Sequence, residues 1–400
     1  WRGLGDRRGL AATLASMPLC SALYVHQLDV PAITLWEGVR AAEEGARLAR
    51  EIGWRAGEAY GQLNLAMALG PLGAYRRAWA AASATVECAE EIEHRQWLTA
   101  GLAALGMVRL DTLPPDAAVG HLEKAYEMAG AIGSRIWIDT VGGILASAYV
   151  AAGRLDDAAR LLDGLPPLDG PVRSQGGRLR WYARGELALA RGDAEGALAV
   201  ADELAAALRA QGRVVPKLWL LQGTALARAG DLAKAADVLA EASAAAREQQ
   251  MRSLVWRIDA ALARVLGAAR RREEARACAA AARACLDELA AELDEPERRQ
   301  LLEGATAFLP RPRAPTRART DKERFGGLSA RQREVAARIA RGLSNKEIAD
   351  ELGVGLRTVE AHITQILMRL GFSSRTQVAA WAVGSGLVEA ARTPSPTGRR

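Results

Sequence analysis

Lysine is scarce in this 400-residue chain: only Lys124, Lys217, Lys234, Lys322 and Lys346 are lysines, and the other 48 of its 53 basic residues are arginines. With so much alanine and glycine, that bias points to a GC-rich bacterial coding sequence. Aromatic residues make up 5% against a hydrophobic total of 50%, so the apolar mass is mainly Ala, Leu and Val. Such a composition favours helices over sheets. The four cysteines, Cys20, Cys88, Cys278 and Cys285, form no C-x-x-C pair and have no His at ligand spacing. This argues against a metal site and leaves free thiols of a reducing compartment. No signal peptide and no run of 18 uncharged apolar residues is present, so a cytoplasmic protein without a membrane span is expected. The phosphate-cradling pattern G-x-x-x-x-G-K-[ST] is missing too, as is any Ser, Cys or carboxylate constellation around a histidine. The expectation is a non-enzyme with no cofactor. Residue 1 is Trp, which reads as the start of a fragment.

Charge is unevenly spread. From Arg311 to Arg400 there are 17 Lys/Arg and 8 Asp/Glu, a balance of +9, whereas residues 1–310 carry 36 and 39, a balance of −3. A basic end on an otherwise slightly acidic chain predicts a polyanionic partner for that end. The stretch PRPRAPTRART (310–320) has three prolines, four arginines and no apolar periodicity. It predicts an extended linker over 310–322. RTPSPTGRR (392–400) predicts a disordered tail from 390 onward.

The first 309 residues repeat. GAYRRA (73–78), LPPDAA (113–118), GRLDDA (153–158), GDAEGA (192–197), GDLAKA (230–235) and RRREEA (270–275) each end in alanine, spaced 40, 40, 39, 38 and 40 residues apart. In four of the six, glycine stands five residues before that alanine: Gly73, Gly153, Gly192 and Gly230. The pattern predicts helical hairpins. Glycine ends helix A in a left-handed conformation, an acidic residue favours the start of helix B, and alanine lets the two approach. The clearest unit, WLLQGTALARAGDLAKAADVLAEA, places Trp219, Gly223, Leu226, Gly230, Ala235, Leu239 and Ala242 at positions that resemble the tetratricopeptide signature. Its period exceeds the usual 34, which calls for longer helices or connections. Stacked units form a superhelix with a concave face. Trp36, Trp97, Trp137, Trp181, Trp219 and Trp256 recur about once per repeat and are read as wedges between helices rather than as a ligand-lining stripe.

Residues 323–389 read differently. Three capping boxes, Ser329–Gln332, Ser344–Glu347 and Ser374–Gln377, start helices, and Gly342, Gly353 and Gly371 end them. Four helices follow. The second buries Ile348 and Leu352 with Ala349 small at a crossing. The third carries an apolar stripe of Leu356, Val359, Ile363, Ile366, Leu367 and Leu370. Its opposite side presents Thr358, Ala361, Gln365 and Met368, flanked by Arg357, His362, Thr364 and Arg369, with no carboxylate at the centre. A helix with so small and cationic a face suits a major groove, and two helices across a short Gly corner make a helix-turn-helix. Arg331, Asn345, Lys346, Arg357 and Arg375, near helix starts, are candidates for gripping phosphate.

These residues closely resemble the LuxR-type DNA-binding domain. The likeness is carried by Leu328-Ser-x-Arg331-x-x-Glu334, Gly342-Leu-Ser-Asn-Lys-Glu-Ile-Ala349, Leu352-Gly353, Arg357-Thr358-Val359, His362, Leu370-Gly371 and Ser374-Arg375, over about 65 residues. The resemblance implies double-stranded DNA as partner, self-association through the fourth helix (about 375–385) and RNA polymerase as the downstream partner. Two positions depart from the family. Gly355-Leu356 opens the third helix where a hydroxyl or acidic cap is usual, and Glu360 stands where a groove-contacting Lys is common. Glu360 either accepts from a cytosine amine or pairs with Arg357 one turn away. Helical repeats, an Arg/Pro linker and a LuxR-type domain together resemble the large MalT-like regulators, in which an ATPase module precedes the repeats. The all-α fold class, a repeat domain over 1–309 that takes a ligand or protein partner, and a DNA-binding domain over 323–389 follow as expectations. A rival reading makes the C-terminal helices a protein-docking scaffold, and another makes the chain the C-terminal part of a P-loop ATPase.

Overall fold

Alanine-rich segments, many of them 17 or 18 residues long and closed by a left-handed residue, dictate most of the chain. The computed structural model describes residues 5–29, 31–112, 115–167, 174–207, 214–310 and 324–390. It divides into two units, Trp1–Arg311 and Pro312–Arg400. Among the described residues the secondary structure is helical, with no strand. The predicted linker beyond Pro310 and the tail from 391 lie outside the described residues.

In the first unit α1 (Arg7–Ser16) leads into α2 (Leu35–Glu51), and antiparallel hairpins follow. They are α3 (Arg55–Leu72) with α4 (Tyr75–Glu91), α5 (Arg95–Thr112) with α6 (Pro115–Ala131), and α7 (Arg135–Ala151) with α8 (Leu155–Gly164). Next come α9 (Gln175–Arg191) with α10 (Ala194–Ala207), α11 (Pro216–Ala229) with α12 (Leu232–Glu248), and α13 (Arg252–Ala268) with α14 (Arg272–Ala291). A short α15 (Glu295–Ala305) completes the array. Each helix packs on its neighbours in sequence, as expected for stacked hairpins.

The repeated alanines sit where two helices cross. Ala78, Ala118, Ala158, Ala197 and Ala235 are each fully buried. Ala275 departs from the rule and is only partly buried. It lies at the start of α14, a 20-residue helix, and the 11-residue α15 runs back along roughly half that length. In the clearest unit a side chain at Gly223 would sit 2.6 Å from Leu239 Cγ, while Leu239 and Ala242 are fully buried. That contact is why the signature pairs a small residue on helix A with a large one on helix B.

The turns explain the 40-residue period. Gly73, Gly153, Gly192 and Gly230 adopt φ of 81°, 74°, 86° and 95°. Arg270 takes the equivalent place in the last repeat at φ 63°, and Glu93 and Gln250 close B helices at 51° and 58°. A left-handed residue thus recurs about every 20 residues, whether or not it is glycine. The long helices between these stops supply the extra length over a standard tetratricopeptide unit.

The tryptophans mostly behave as wedges. Trp256 is fully buried, and Trp97, Trp137, Trp181 and Trp219 are half-buried against the core. Trp36 corrects the expectation: it is 39% exposed. It lies at the start of α2, a B-type helix, whereas the other five lie on A-type helices, so it is out of register with them.

The array also meets itself. Arg257 on α13 donates to the carbonyls of Leu110 and Asp111 and approaches the Asp111 carboxylate at 3.5 Å. Tyr24 donates to the same carboxylate at 2.9 Å. Arg109 bridges to Glu297 at 2.8 Å, Arg76 to Asp294 at 2.7 Å, and Arg178 to Asp29 at 2.5 Å. Residues 87 to 218 apart in sequence are therefore neighbours where the coil comes round on itself.

The second unit holds α16 (Ala330–Ala340), α17 (Asn345–Leu352), α18 (Leu356–Leu370), α19 (Arg375–Gly384) and a last turn, α20 (Leu387–Ala390). All three predicted capping boxes form, at Ser329, Ser344 and Ser374. Leu328, Val335, Ile348, Val359, Ile366, Val378 and Ala382 make its core.

Left-handed stops give a direct test by thermal denaturation. Arg270→Gly relieves a side-chain clash and should raise stability by about 0.5 kcal/mol after the extra freedom of an unfolded glycine is counted. Gly230→Ala meets no neighbour but strains the backbone, and should lower stability by about 1 kcal/mol.

Candidate nucleic-acid interface

The corner between α17 and α18 is built from backbone preferences. Gly353 takes φ 64° and lets its own and the next amide bond back to Asp350 and Ala349. Gly355, in extended conformation, then opens α18 without a side-chain cap. Ile348 and Ala349 are buried below the corner, while Leu352 is partly buried.

On α18 the two sides separate. Val359 and Ile366 are fully buried, and Ile363, Leu367 and Leu370 pack partly against the core. Leu356 departs from the predicted stripe: it is 47% exposed. It is the first residue of the helix, and the contribution of α18 to the core begins only at Val359. On the other side Thr358, Ala361, Gln365 and Met368 are all exposed, Met368 to 79%. Arg357, Thr364 and Arg369 are exposed at the flanks, and His362 is half-buried with Nδ1 lacking a hydrogen-bond partner.

The predicted contact residues fall into two groups. Lys346 and Arg357 are exposed, with no hydrogen bond or ion pair to another described residue. Their charges are free for a polyanion. Arg331, Arg375, Asn345, Gln365 and Arg369 are instead engaged within the unit. Arg331 pairs with Glu334 at 2.6 Å and donates to the Leu352 carbonyl at 2.7 Å, satisfying an orphan acceptor at the end of α17. Arg375 donates to Asn345 Oδ1 at 2.6 Å and to the Leu343 carbonyl, tying the start of α19 to the start of α17. Gln332, 5% exposed, donates to Gln365 Oε1 at 3.0 Å, and Arg369 reaches Gln332 Oε1 at 3.3 Å and the Gly327 carbonyl at 3.2 Å. Thr364 spends its hydroxyl on the Glu360 carbonyl at 3.0 Å.

Sequence reading missed the second role of Gln332. It was legible as the far half of a capping box, but not as the strut that holds Gln365. The expected Arg357–Glu360 pair is another correction, because the two exposed side chains form no ion pair. An exposed pair of this kind gains only about 0.2–1 kcal/mol and loses side-chain freedom, so its absence is unsurprising physically.

Comparison with known proteins bears on the two parts separately. Residues 327–382 match the family described as bacterial regulatory proteins, luxR family. The oxygen regulatory protein NreC of Staphylococcus aureus strain JH9 is 43% identical over 65 residues, and that of strain bovine RF122 is 44% identical over 65. The match spans 16% of this chain and 30% of those relatives' length. A crystal structure of a Rap protein complexed with competence and sporulation factor shares the fold with a TM-score of 0.52 at 13% identity, over 65% of this chain and 72% of that one. No described helix is long and apolar enough to cross a membrane. The chain thus combines a Rap-like helical repeat array with a luxR-family helix-turn-helix domain at residues 327–382.

Proposed function

We propose that the chain is a transcriptional regulator in which α18 lies in the major groove of promoter DNA and the repeats take a ligand or partner. The observation that carries this reading is the exposed side of α18. Thr358, Ala361 and Gln365 form a small polar strip without a central acid, with the free cation Arg357 on the same helix and a second, Lys346, in the first turn of α17. Small side chains let a helix sit deep in a groove, and unpaired cations at its rim replace the counterions around phosphates. Arg331, Asn345 and Arg375 then act with their helix starts, where backbone N–H groups point outward. Their internal hydrogen bonds pre-orient them for phosphate. His362 and Arg369 border the strip, and Thr364 lies beside it. Gln365 is the base-reading candidate, because Gln332 occupies its oxygen and leaves its amide N–H groups free to donate to a purine N7 or O6.

A protein-docking role for the C-terminal helices is the alternative, and ionic strength separates the two. DNA binding by the whole chain should weaken steeply with salt, whereas docking through an apolar face should barely respond.

Two expectations follow, measured by fluorescence anisotropy against fragments selected from genomic DNA. Lys346→Ala and Arg357→Ala should each weaken binding to all fragments and lower the salt slope by about 1. Unchanged binding by both removes the phosphate roles. Gln365→Ala should alter the preferred sequence, with a loss of about 1–3 kcal/mol confined to the fragments favoured by the unaltered chain.

A further inference from the structure

Where the coil meets itself it forms a half-open pocket of about 520 Å³, within the usual size of small-molecule sites. The inner sides of α5, α7, α9, α11 and α13 line it, together with Pro115 of α6, Gly304 of α15, and Ala307 and Phe308 just beyond α15. None of the recurring tryptophans is part of its wall. A smaller compartment of about 220 Å³ adjoins it, sharing Thr224, Ala261 and Arg264 and adding Arg228.

The charges in this wall do not cancel. Asp111 is already satisfied by Tyr24 and Arg257. Lys217 and Arg264 line the cavity, and Arg228 the adjoining compartment. None of the three makes a hydrogen bond or ion pair with a described residue. Lys217 rests over the Tyr182 ring at 5.0 Å, and burial pulls its pKa down. Arg264 is likewise pulled down by burial, and the like charge of Arg228 adds to this. Lys217 is half-buried and Arg264 and Arg228 are exposed, so this end of the pocket holds cationic groups whose donors no described side chain occupies. Glu186 supplies the opposite chemistry. Ser147, Tyr182 and Lys217 surround it, yet its Oε2 is buried without a hydrogen-bond partner. Two partly satisfied features of opposite type therefore face one cavity.

The geometry points to this cavity as the binding site of a small organic anion: Lys217 and Arg264 hold its carboxylate or phosphate, and Glu186 hydrogen-bonds a hydroxyl or ammonium on the same molecule. Lysine contributes a point charge and arginine a planar fork, a combination that suits either anion. Arg228 broadens the cationic end. The wall includes residues from both ends of the array, and a half-open pocket of about 520 Å³ holds a small molecule rather than a macromolecule. The proposal rests on the sensing role given to the repeats, but it is tested without DNA.

Calorimetry and thermal denaturation of the full chain, at fixed ionic strength, use inorganic phosphate, glutarate, glutamate and glucose 6-phosphate as probes, with glucose as the neutral control. At least one anionic probe should bind and raise the melting temperature, and glucose should do neither. Phosphate-type and carboxylate-type probes identify which anion the site takes. Lys217→Met and Arg264→Gln should each weaken that binding at least tenfold, whereas Arg299→Gln, on the outer surface of α15, leaves it unchanged. Arg264 is solvent-exposed, so its replacement should not disturb folding and tests the idea even if Lys217→Met fails to fold. Equal response to glucose, no response to any anionic probe, or full affinity in Arg264→Gln overturns the proposal.

Discussion

Two α-helices can lie against each other only as closely as their smallest facing residues allow, and this limit organises the larger part of the molecule. The fully buried alanines at intervals of about 40 residues set that approach in five of the six hairpins. With helices drawn close, the hydrophobic gain comes from many modest contacts rather than a few large aromatic ones. A chain with 5% aromatics still encloses a continuous core in this way. The regular spacing of left-handed stops keeps most of the hairpins alike, and the stack curves enough for α13 to reach α3 and α15 to reach α5.

The second unit uses different means. Its helices are short, and three reciprocal capping boxes fix where they start. Arginines then do what long apolar interfaces do in the repeats: Arg331 ends α17, and Arg375 pins α17 to α19. Cationic side chains beside helix starts are thus both structural and placed next to an electropositive backbone terminus. One set of residues holds the corner in shape and presents positive charge on its outside.

Much of this was legible in the sequence, because local signals dominate. Capping boxes and glycine stops depend on residues three to five apart, and the alanine register repeats six times. What escaped was of two kinds. Glu93, Gln250 and Arg270 occupy left-handed positions with no glycine to announce them, because tertiary packing holds the turn regardless of its own preference. The other kind is long-range. Nothing in the spacing of Gln332 and Gln365, or of Asp111 and Arg257, indicates that they touch. Leu356 and Trp36 failed for a simpler reason: periodicity assigns a side to a residue but cannot tell whether a partner extends far enough to cover it. The same limit applies to the interior cavity, whose wall draws on seven helices and on no single motif.

An open stack of repeats loses its units one at a time from the ends, since each contacts only its neighbours. Here Arg76–Asp294 and Arg109–Glu297 fasten early segments to late ones, and Arg178–Asp29 ties the first segments to the middle of the array. Fraying at one terminus then strips contacts from the other, and the coil behaves less like a zipper than like a clasped bracelet, shut or sprung as a whole.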